Sequence, residues 1–560
     1  MHQPSETPLA GSVPSAHLKD PEKGLSKPLS RTNTAASVTE GTVANEGYGE
    51  YKAVFQTGAT QVISLGSNMG SGLFVATGKA LFIAGPGAMI FGYGFVTILV
   101  FCVLQTLAEM TIAFPVSGNL IDYADRWVDP ALGFSAGFAL WLGWVAVVGS
   151  EATVSVILIN FWADGAVHQA VWLSLFLVFV FTLFCLPSQY FAWFEYVTSL
   201  IKIVVFLIFI VTSIAIVCGA GPTGKVHHGE TWIEHPTFKG GFSGVGNAMM
   251  LAVWACGDQI FIGMMGAEAV FPRMAMGRAA RMVTGRVIGV YMSALALISV
   301  LVPSDDSRLF GGSGAAASPF VIAVENAGIK GLPHLLNAVI LIAAVSMACE
   351  SIFIGSRALR ALALQGLVST HLANVDTSGR PRASLAITAM VSVAFTYINL
   401  SSTGAVIFGW FVSITSSSFF CMWIILAITS WRFRKALKVQ NDPLFDRVYA
   451  WKCTAWPFTP LWLFLGCMVL VVACIYIGIY PNGSSDEVSV TSFFQSMIGL
   501  ILIIASYIGY KLIFRTRYRN SASMDLITGR RDLSADEITQ LDKYYSKPLW
   551  RRFLTYLQLW

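Results

Sequence analysis

From about residue 57 to residue 514 the chain alternates long apolar stretches with short polar interruptions. Crossing the hydrocarbon core of a bilayer takes about 20 apolar helical residues. Backbone in lipid must also satisfy its own hydrogen bonds, which leaves helices as the natural solution for runs of this length. Twelve stretches qualify, at roughly 57–82, 86–114, 131–162, 170–186, 195–218, 245–271, 284–303, 335–356, 385–401, 405–429, 458–480 and 491–514. The expectation is an all-α integral membrane protein with twelve transmembrane helices. Composition agrees, because charged residues make up 12% of the chain against about 25% in a soluble domain. A soluble multidomain enzyme and a disordered chain are excluded. A net charge of +5 over 560 residues is no nucleic-acid footprint. The nine cysteines show no CxxC or Cys/His pairing, and all but Cys453 fall in apolar runs. They read as packing residues, with neither a disulfide framework nor a metal site expected.

The flanks differ in kind. Residues 1–55 are rich in Ser, Thr, Pro and mixed charges and predict a disordered tail. Residues 516–560 form a second polar tail, leaving 56–515 as the membrane domain. No apolar core preceded by basic residues stands at Met1, so no cleavable secretory signal is expected. Loops after even-numbered spans carry Arg126, Arg273, Arg278, Arg281, Arg286, Arg357, Arg360, Arg380, Arg382, Arg432, Arg434, Lys435, Lys438, Arg447 and Lys452. Loops after odd-numbered spans carry only Lys79, Lys225, Lys239, Arg308 and Lys330. The positive-inside rule places both termini in the cytoplasm. The sequons at Asn399 and Asn482 then fall on the outer side, where glycosylation is possible.

Two spans are interrupted at mid-depth. The first reads Gly66-Ser67-Asn68-Met69-Gly70-Ser71-Gly72-Leu73-Phe74, where a lipid-facing helix would place large apolar residues. Gly66 and Gly70, four apart, also fit a close helix crossing. The sixth is interrupted by Cys256-Gly257-Asp258-Gln259, and an acid inside the membrane is costly and usually functional. Paired interruptions at corresponding positions point to a transport site. A half-helix N-terminus offers free amides and a positive dipole end to a carboxylate. Freed carbonyls suit an ammonium, so the pair matches an α-amino acid.

The run Gly70-Ser71-Gly72-Leu73-Phe74, followed by Gly78-Lys79-Ala80 and Gly85-Pro86, resembles the first-span signature of fungal amino-acid permeases, members of the amino acid–polyamine–organocation (APC) superfamily. The resemblance continues through Glu109, Pro115-Val116-Ser117-Gly118, Val128-Asp129-Pro130 and Ser318-Pro319-Phe320 to Asp525-Leu526-Ile527-Thr528-Gly529, covering about residues 50–535. It implies a leucine-transporter-type fold, with a five-plus-five inverted repeat at about 57–218 and 245–429 and two further spans at about 458–514. It also implies secondary uptake of amino acids at the plasma membrane by alternating access, commonly by symport with protons and without a cofactor. By the same resemblance Ser71 and Gly72 would bind the substrate carboxylate through their amides and the Ser71 hydroxyl, with Gly70 also at the substrate. Carbonyls near Asn68 and in Val253–Gly257 would receive the ammonium, and Trp254 would cap the substrate unless it is ordinary packing. The family pattern puts a glutamate after the sixth-span glycine, but here alignment places Gln259 or Ile260 there, with Asp258 alongside. The eighth span reads Met347-Ala348-Cys349-Glu350 where the family has Ala-Gly-Asn-Ser.

Three charges are coupling or gating candidates. Glu151 matches a family glutamate and is either a protonatable or cation-contacting group or a carboxylate tied to a neighbouring helix. Lys202 matches a fifth-span family lysine whose charge would cycle with a proton, unless it snorkels to the surface. Glu350 has no family counterpart. Glu268 and Arg273 read as a gate or loop pair, or as a surface ion pair. His227, His228 and His235 share a loop with Glu230 and Glu234 at spacings that match no metal signature. No P-loop, nucleophile elbow or HExxH motif is present. The sequence therefore predicts a proton-coupled amino-acid permease, not an enzyme, whose partners are its small-molecule substrate and membrane lipid, with no nucleic acid. An amino-acid sensor built on a transporter scaffold, or a carrier of a related amine, remain the alternatives.

Overall fold

The computed structural model describes residue 66 and residues 69–116, 118–186, 188–267, 271–309, 318–376, 379–481 and 489–552. The expected N-terminal tail at 1–55, Asn68, Glu268 and Asn482 lie outside the described residues. Those described form an all-α assembly in which eight helices are long and apolar enough to cross a membrane and three shorter ones are also apolar. The chain is an integral membrane protein.

In chain order the helices are α1 (Ser71–Phe74), α2 (Ala76–Ala113), α3 (Leu120–Trp127), α4 (Pro130–Ala163), α5 (Gln169–Cys185), α6 (Ser188–Val217), α7 (Glu230–Ile233), α8 (Gly241–Cys256) and α9 (Ile260–Ala267). They continue with α10 (Pro272–Leu301), α11 (Pro319–Asn326), α12 (Leu332–Leu364), α13 (Arg382–Ile398), α14 (Gly404–Val439), α15 (Phe458–Ile479), α16 (Val490–Phe514) and α17 (Ala535–Tyr545).

Helix α2 bends at Gly85–Pro86, where the expected first and second spans meet. Gly85 has φ +81°, and a Cβ there would come within 2.7–2.8 Å of the Pro236 and Thr237 carbonyls. The freed backbone groups find partners, since the Lys239 amide donates to the Ala84 carbonyl at 2.8 Å and the Gly87 amide to Thr237 at 2.9 Å. Helix α4 starts with Pro130 at its first position behind Asp129, whose carboxylate accepts from the Ala131 amide. Its 34 residues extend about 50 Å, and it packs against α3, α12, α13, α14 and α16 at the centre of the molecule. Helices α6 and α16 instead turn large apolar side chains outward, among them Leu207, Val211, Leu512 and Ile513. An apolar surface of that kind requires lipid as its solvent.

The basic loops gather on one face. Glu109, fully buried at the end of α2, accepts from Arg434 Nε at 2.8 Å and from Arg434 Nη2 at 2.5 Å. Arg273 Nε donates to the Tyr449 carbonyl at 2.7 Å. The C-terminal tail lies along this face: Arg531 N donates to the Ala113 carbonyl at 3.0 Å, Trp127 Nε1 to Asp525 at 3.1 Å, and Arg530 pairs with Asp442 at 2.6 Å. Lys239 and Arg308 belong to a different set of loops, bonding Ser304 at 2.6 Å and Glu325 at 3.2 Å.

Asn399 corrects one expectation. It is buried, its amide donates to the Thr396 and Gly149 carbonyls, and its oxygen accepts from Thr153. That side chain is structural and closed to a glycan.

Candidate functional site

Both interruptions appear as breaks in helical structure. Gly70 is extended, with φ −105° and ψ −164°, and its carbonyl accepts from the Leu73 and Phe74 amides, which starts α1. The amides of Ser71 and Gly72 thus occupy the first turn, where no carbonyl of the same helix can reach them. Between α8 and α9 the chain leaves helical geometry over Gly257–Gln259. There the Ala255 carbonyl accepts from Tyr291 Oη at 2.8 Å and the Cys256 carbonyl from Gln259 Nε2 at 2.9 Å. Gln259 Nε2 also donates to Asp258 Oδ1 at 2.7 Å, which aims the acid.

The first break meets the last turn of α8. A Cβ on Gly72 would lie 2.8 Å from Ala255 Cα, and one on Gly257 would lie 2.3 Å from the Phe419 ring. Glycine at position 72 lets its backbone approach that of Ala255 this closely, and glycine at position 257 makes room for the Phe419 ring. Between the two breaks is a cavity of about 30 Å³ lined by Gly70, Gly72, Trp144, Glu151, Trp254 and Asp258, with Tyr291, Met347 and Phe419 among the remaining walls. That volume holds roughly two waters, too little for an amino acid unless the walls separate.

The expected residues divide around this cavity. Gly70, Gly72, Trp254 and Asp258 line it. Ser71 is buried beside it and donates through Oγ to Glu151 Oε1 at 2.5 Å. Gly257 packs on Phe419, and Gln259 is held by the backbone of its own break. Glu151 is tied to a neighbouring helix, as one alternative had it, but the tie runs to the residue expected to hold the substrate carboxylate. Trp254 sits edge-on to Phe408 with centroids 5.1 Å apart. Among the described residues, Glu151 Oε2 and the indole nitrogens of Trp144 and Trp254 are buried without a protein hydrogen-bond partner.

Lys202 does not snorkel. It is fully buried, and its ammonium donates to Ser346 Oγ at 3.0 Å and to the Gly66 carbonyl at 3.4 Å. It therefore joins the first break to α12. Glu350, one turn beyond Ser346 on α12, is buried with Oε2 unpartnered among the described residues. It is near enough to feel the charges of Glu195, Asp258 and Lys202. Arg273 stacks over Trp451, its guanidinium carbon 4.8 Å from the ring centroid.

Glu195 was not singled out from the sequence. It is buried and accepts from Ser346 Oγ at 2.9 Å, the same hydroxyl oxygen that accepts from Lys202. It stands at the edge of an apolar run. The signal that exposes it is the spacing Glu195, Thr198, Ser199, Lys202, a polar stripe at i, i+3, i+4 and i+7 along one face of an otherwise apolar helix.

The profile of the family described as "Amino acid permease" matches residues 59–522. The chain belongs to that family. Similar proteins include Amino-acid permease GAP3 of Candida albicans, 30% identical over 515 residues that cover 91% of this chain and 85% of the relative. General amino-acid permease GAP1 of Saccharomyces cerevisiae is 31% identical over 489 residues, 86% of this chain and 80% of the relative. Amino acid transporter 1 of Schizosaccharomyces pombe is 31% identical over 484 residues, 85% of this chain and 82% of the relative. The permease is accordingly a membrane-embedded secondary transporter of amino acids and not an enzyme.

Proposed function

We propose that this permease imports amino acids across the plasma membrane by symport with protons, through alternating access at the cavity between the two breaks. The architecture we assign to it has twelve spans, an inverted repeat at about 57–218 and 245–429, two additional spans at about 458–514, and cytoplasmic tails at 1–55 and 516–560. The gathering of arginine-bearing loops with the C-terminal tail on one face supports that orientation.

One observation carries the substrate assignment. The cavity wall holds two buried indole N–H donors and one carboxylate oxygen that no protein group satisfies among the described residues. Such orphaned groups are rare and call for a ligand or water. Unsatisfied donors and an unsatisfied acceptor on residues lining one small space are the complement of an α-carboxylate and an α-ammonium. We assign substrate contact to Gly70, Ser71, Gly72, Trp254 and Asp258, with Gly257 and Gln259 shaping the sixth-span break; Asn68, also expected at the substrate, lies outside the described residues.

The choice of proton rests on charge balance. Glu151, Glu195 and Glu350 lie within electrostatic reach of the buried Lys202, and Asp258 within reach of Glu350, in the membrane interior. Four carboxylates and one ammonium cannot all be ionised there, because like charges at close range disfavour one another and lipid solvates none of them. Protons must occupy some of these sites. Uptake in transporter-deficient cells should rise at acidic external pH, collapse with a protonophore and need no sodium. Sodium-driven uptake that survives the protonophore would refute the symport assignment. Accumulation of labelled substrate against its gradient separates the permease from an amino-acid sensor.

A further inference from the structure

Resting on the proton-coupled reading, we propose that Glu195 is the internal acceptor of the Lys202 proton, reached through the hydroxyl of Ser346. Lys202 Nζ donates to Ser346 Oγ at 3.0 Å, and Ser346 Oγ donates to Glu195 Oε2 at 2.9 Å. A hydroxyl has one hydrogen. With that hydrogen on Glu195, the oxygen is free to accept from lysine, so the chain has a single direction, from ammonium to hydroxyl to carboxylate. Thr198 Oγ1 also lies 3.3 Å from Ser346 Oγ, but its own hydrogen is better used on the Phe194 carbonyl at 2.9 Å.

Transfer along this chain balances. One N–H bond of Lys202 breaks as an O–H bond forms on Ser346, and the original Ser346 O–H breaks as an O–H bond forms on Glu195. The products are a neutral amine, an intact hydroxyl and a neutral carboxylic acid. No proton leaves the protein, and a buried ion pair becomes a buried neutral pair, which a low-dielectric interior tolerates far better than a separated charge. Groups facing Glu195 are Lys202 on its own helix and Cys349 and Glu350 on α12. Glu151 on α4 faces Lys202. Glu195 Oε1 has no hydrogen-bond partner among the described residues, so nothing else fixes this carboxylate in its charged form by direct contact.

The relay is also placed to sense the substrate site. Met347, next to Ser346, lines the cavity, and its methyl would lie 2.9 Å from a Cβ on Gly70. A substrate that widens the cavity by pressing on Met347 and its backbone shifts α12 at this point. That shift moves Ser346 relative to Lys202 and Glu195, which sit together on α6. Hydrogen bonds weaken steeply with such displacement, so substrate entry and proton position are linked through one side chain.

The test uses the full-length permease in proteoliposomes, with amino-acid counterflow and proton uptake measured on the same preparation. The native protein should take up protons with substrate; if it does not, proton symport itself fails and the relay falls with it. Glu195→Gln keeps an acceptor for Ser346 but loses the basicity, and Ser346→Ala removes the bridge. Both should lower accumulation against a gradient at least tenfold and flatten its pH profile while counterflow stays measurable. Ser346→Thr, which restores a hydroxyl, should recover the pH dependence. Should Glu195→Gln fail to fold, Ser346→Ala and Ser346→Thr still decide the matter. A native pH profile and native accumulation in Glu195→Gln or Ser346→Ala, in a protein whose native form does carry protons, would overturn the relay and leave symport standing.

Discussion

Gly72→Ala adds a single methyl group where the first break meets the last turn of α8. The new Cβ would stand 2.8 Å from Ala255 Cα and 2.9 Å from Ala255 Cβ. Reaching the 3.4 Å of an ordinary contact asks for about 0.6 Å of separation. No rotamer change supplies it, because the atoms in the way are backbone and a methyl group with no torsion of its own to escape by. Overpacking of this kind costs about 1–3 kcal/mol, which is about one to two orders of magnitude in an equilibrium or rate constant. The displaced backbone also lines the cavity, and misplacing binding groups by about 1 Å can cost about a hundredfold. Uptake of the preferred amino acid should therefore fall roughly ten- to a hundredfold, with surface expression near native. Gly94→Ala is the matched control, as a Cβ there meets nothing within 4 Å and alanine favours helix. If Gly72→Ala transports at the native rate while expressed normally, the breaks do not form the substrate site and the argument from close approach is wrong.

Asp258 lines the cavity and Glu350 lies within electrostatic reach of Asp258, two acids that a cationic or strongly hydrogen-bonding side chain would satisfy, so lysine or glutamine should be taken up in preference to leucine. Asp258→Asn and Glu350→Ser should selectively lower uptake of the cationic or polar substrate, and equal loss of all three, or a native preference for leucine, would sink this. Arg434→Met strands the fully buried Glu109 carboxylate, a change that costs about 3–5 kcal/mol and should abolish accumulation of folded protein in detergent, with Glu109→Gln in the same chain restoring it; a stable Arg434→Met single variant would show that the pair contributes little. Partial burial raises the Asp442 carboxyl, but the hydrogen bond and charge of Arg530 outweigh it and hold it below its usual 3.8. A carboxylate with a lowered native pKa stabilises fully above its unfolded value and loses that contribution as pH falls through the native one, so the tail's attachment should be intact above about pH 4 and loosen below it. Limited proteolysis of the tail against pH, with Asp442→Asn already loosened at neutral pH, checks this, and identical cleavage of both proteins would refute it.

Much of the site was legible because it is written locally. A glycine-rich run or a lone acid inside an apolar stretch is anomalous whatever surrounds it, since lipid leaves an unbonded backbone group nowhere to go. That anomaly located Gly70–Gly72 and Gly257–Gln259, and the positions of Glu151, Lys202 and Glu350 stood out by charge alone. What these charges bond to was not legible. Ser71 meets Glu151 across 80 residues of chain, and Ser346 meets Lys202 across 144. Asn399 carries a sequon that reads as exposed, yet it is consumed by Gly149, Thr153 and Thr396.

By itself the sequence determined that the chain lives in a membrane, where its helices break, and which family it resembles, because hydropathy and backbone satisfaction act over one helix at a time. Only the tertiary structure decided that Lys202 is sealed inside, that Glu195 shares a hydroxyl with it, and that the Ser71 hydroxyl is already engaged by Glu151. Those outcomes depend on which faces of α4, α6 and α12 meet, and helices of nearly uniform apolar surface carry no local signal that fixes the meeting in advance.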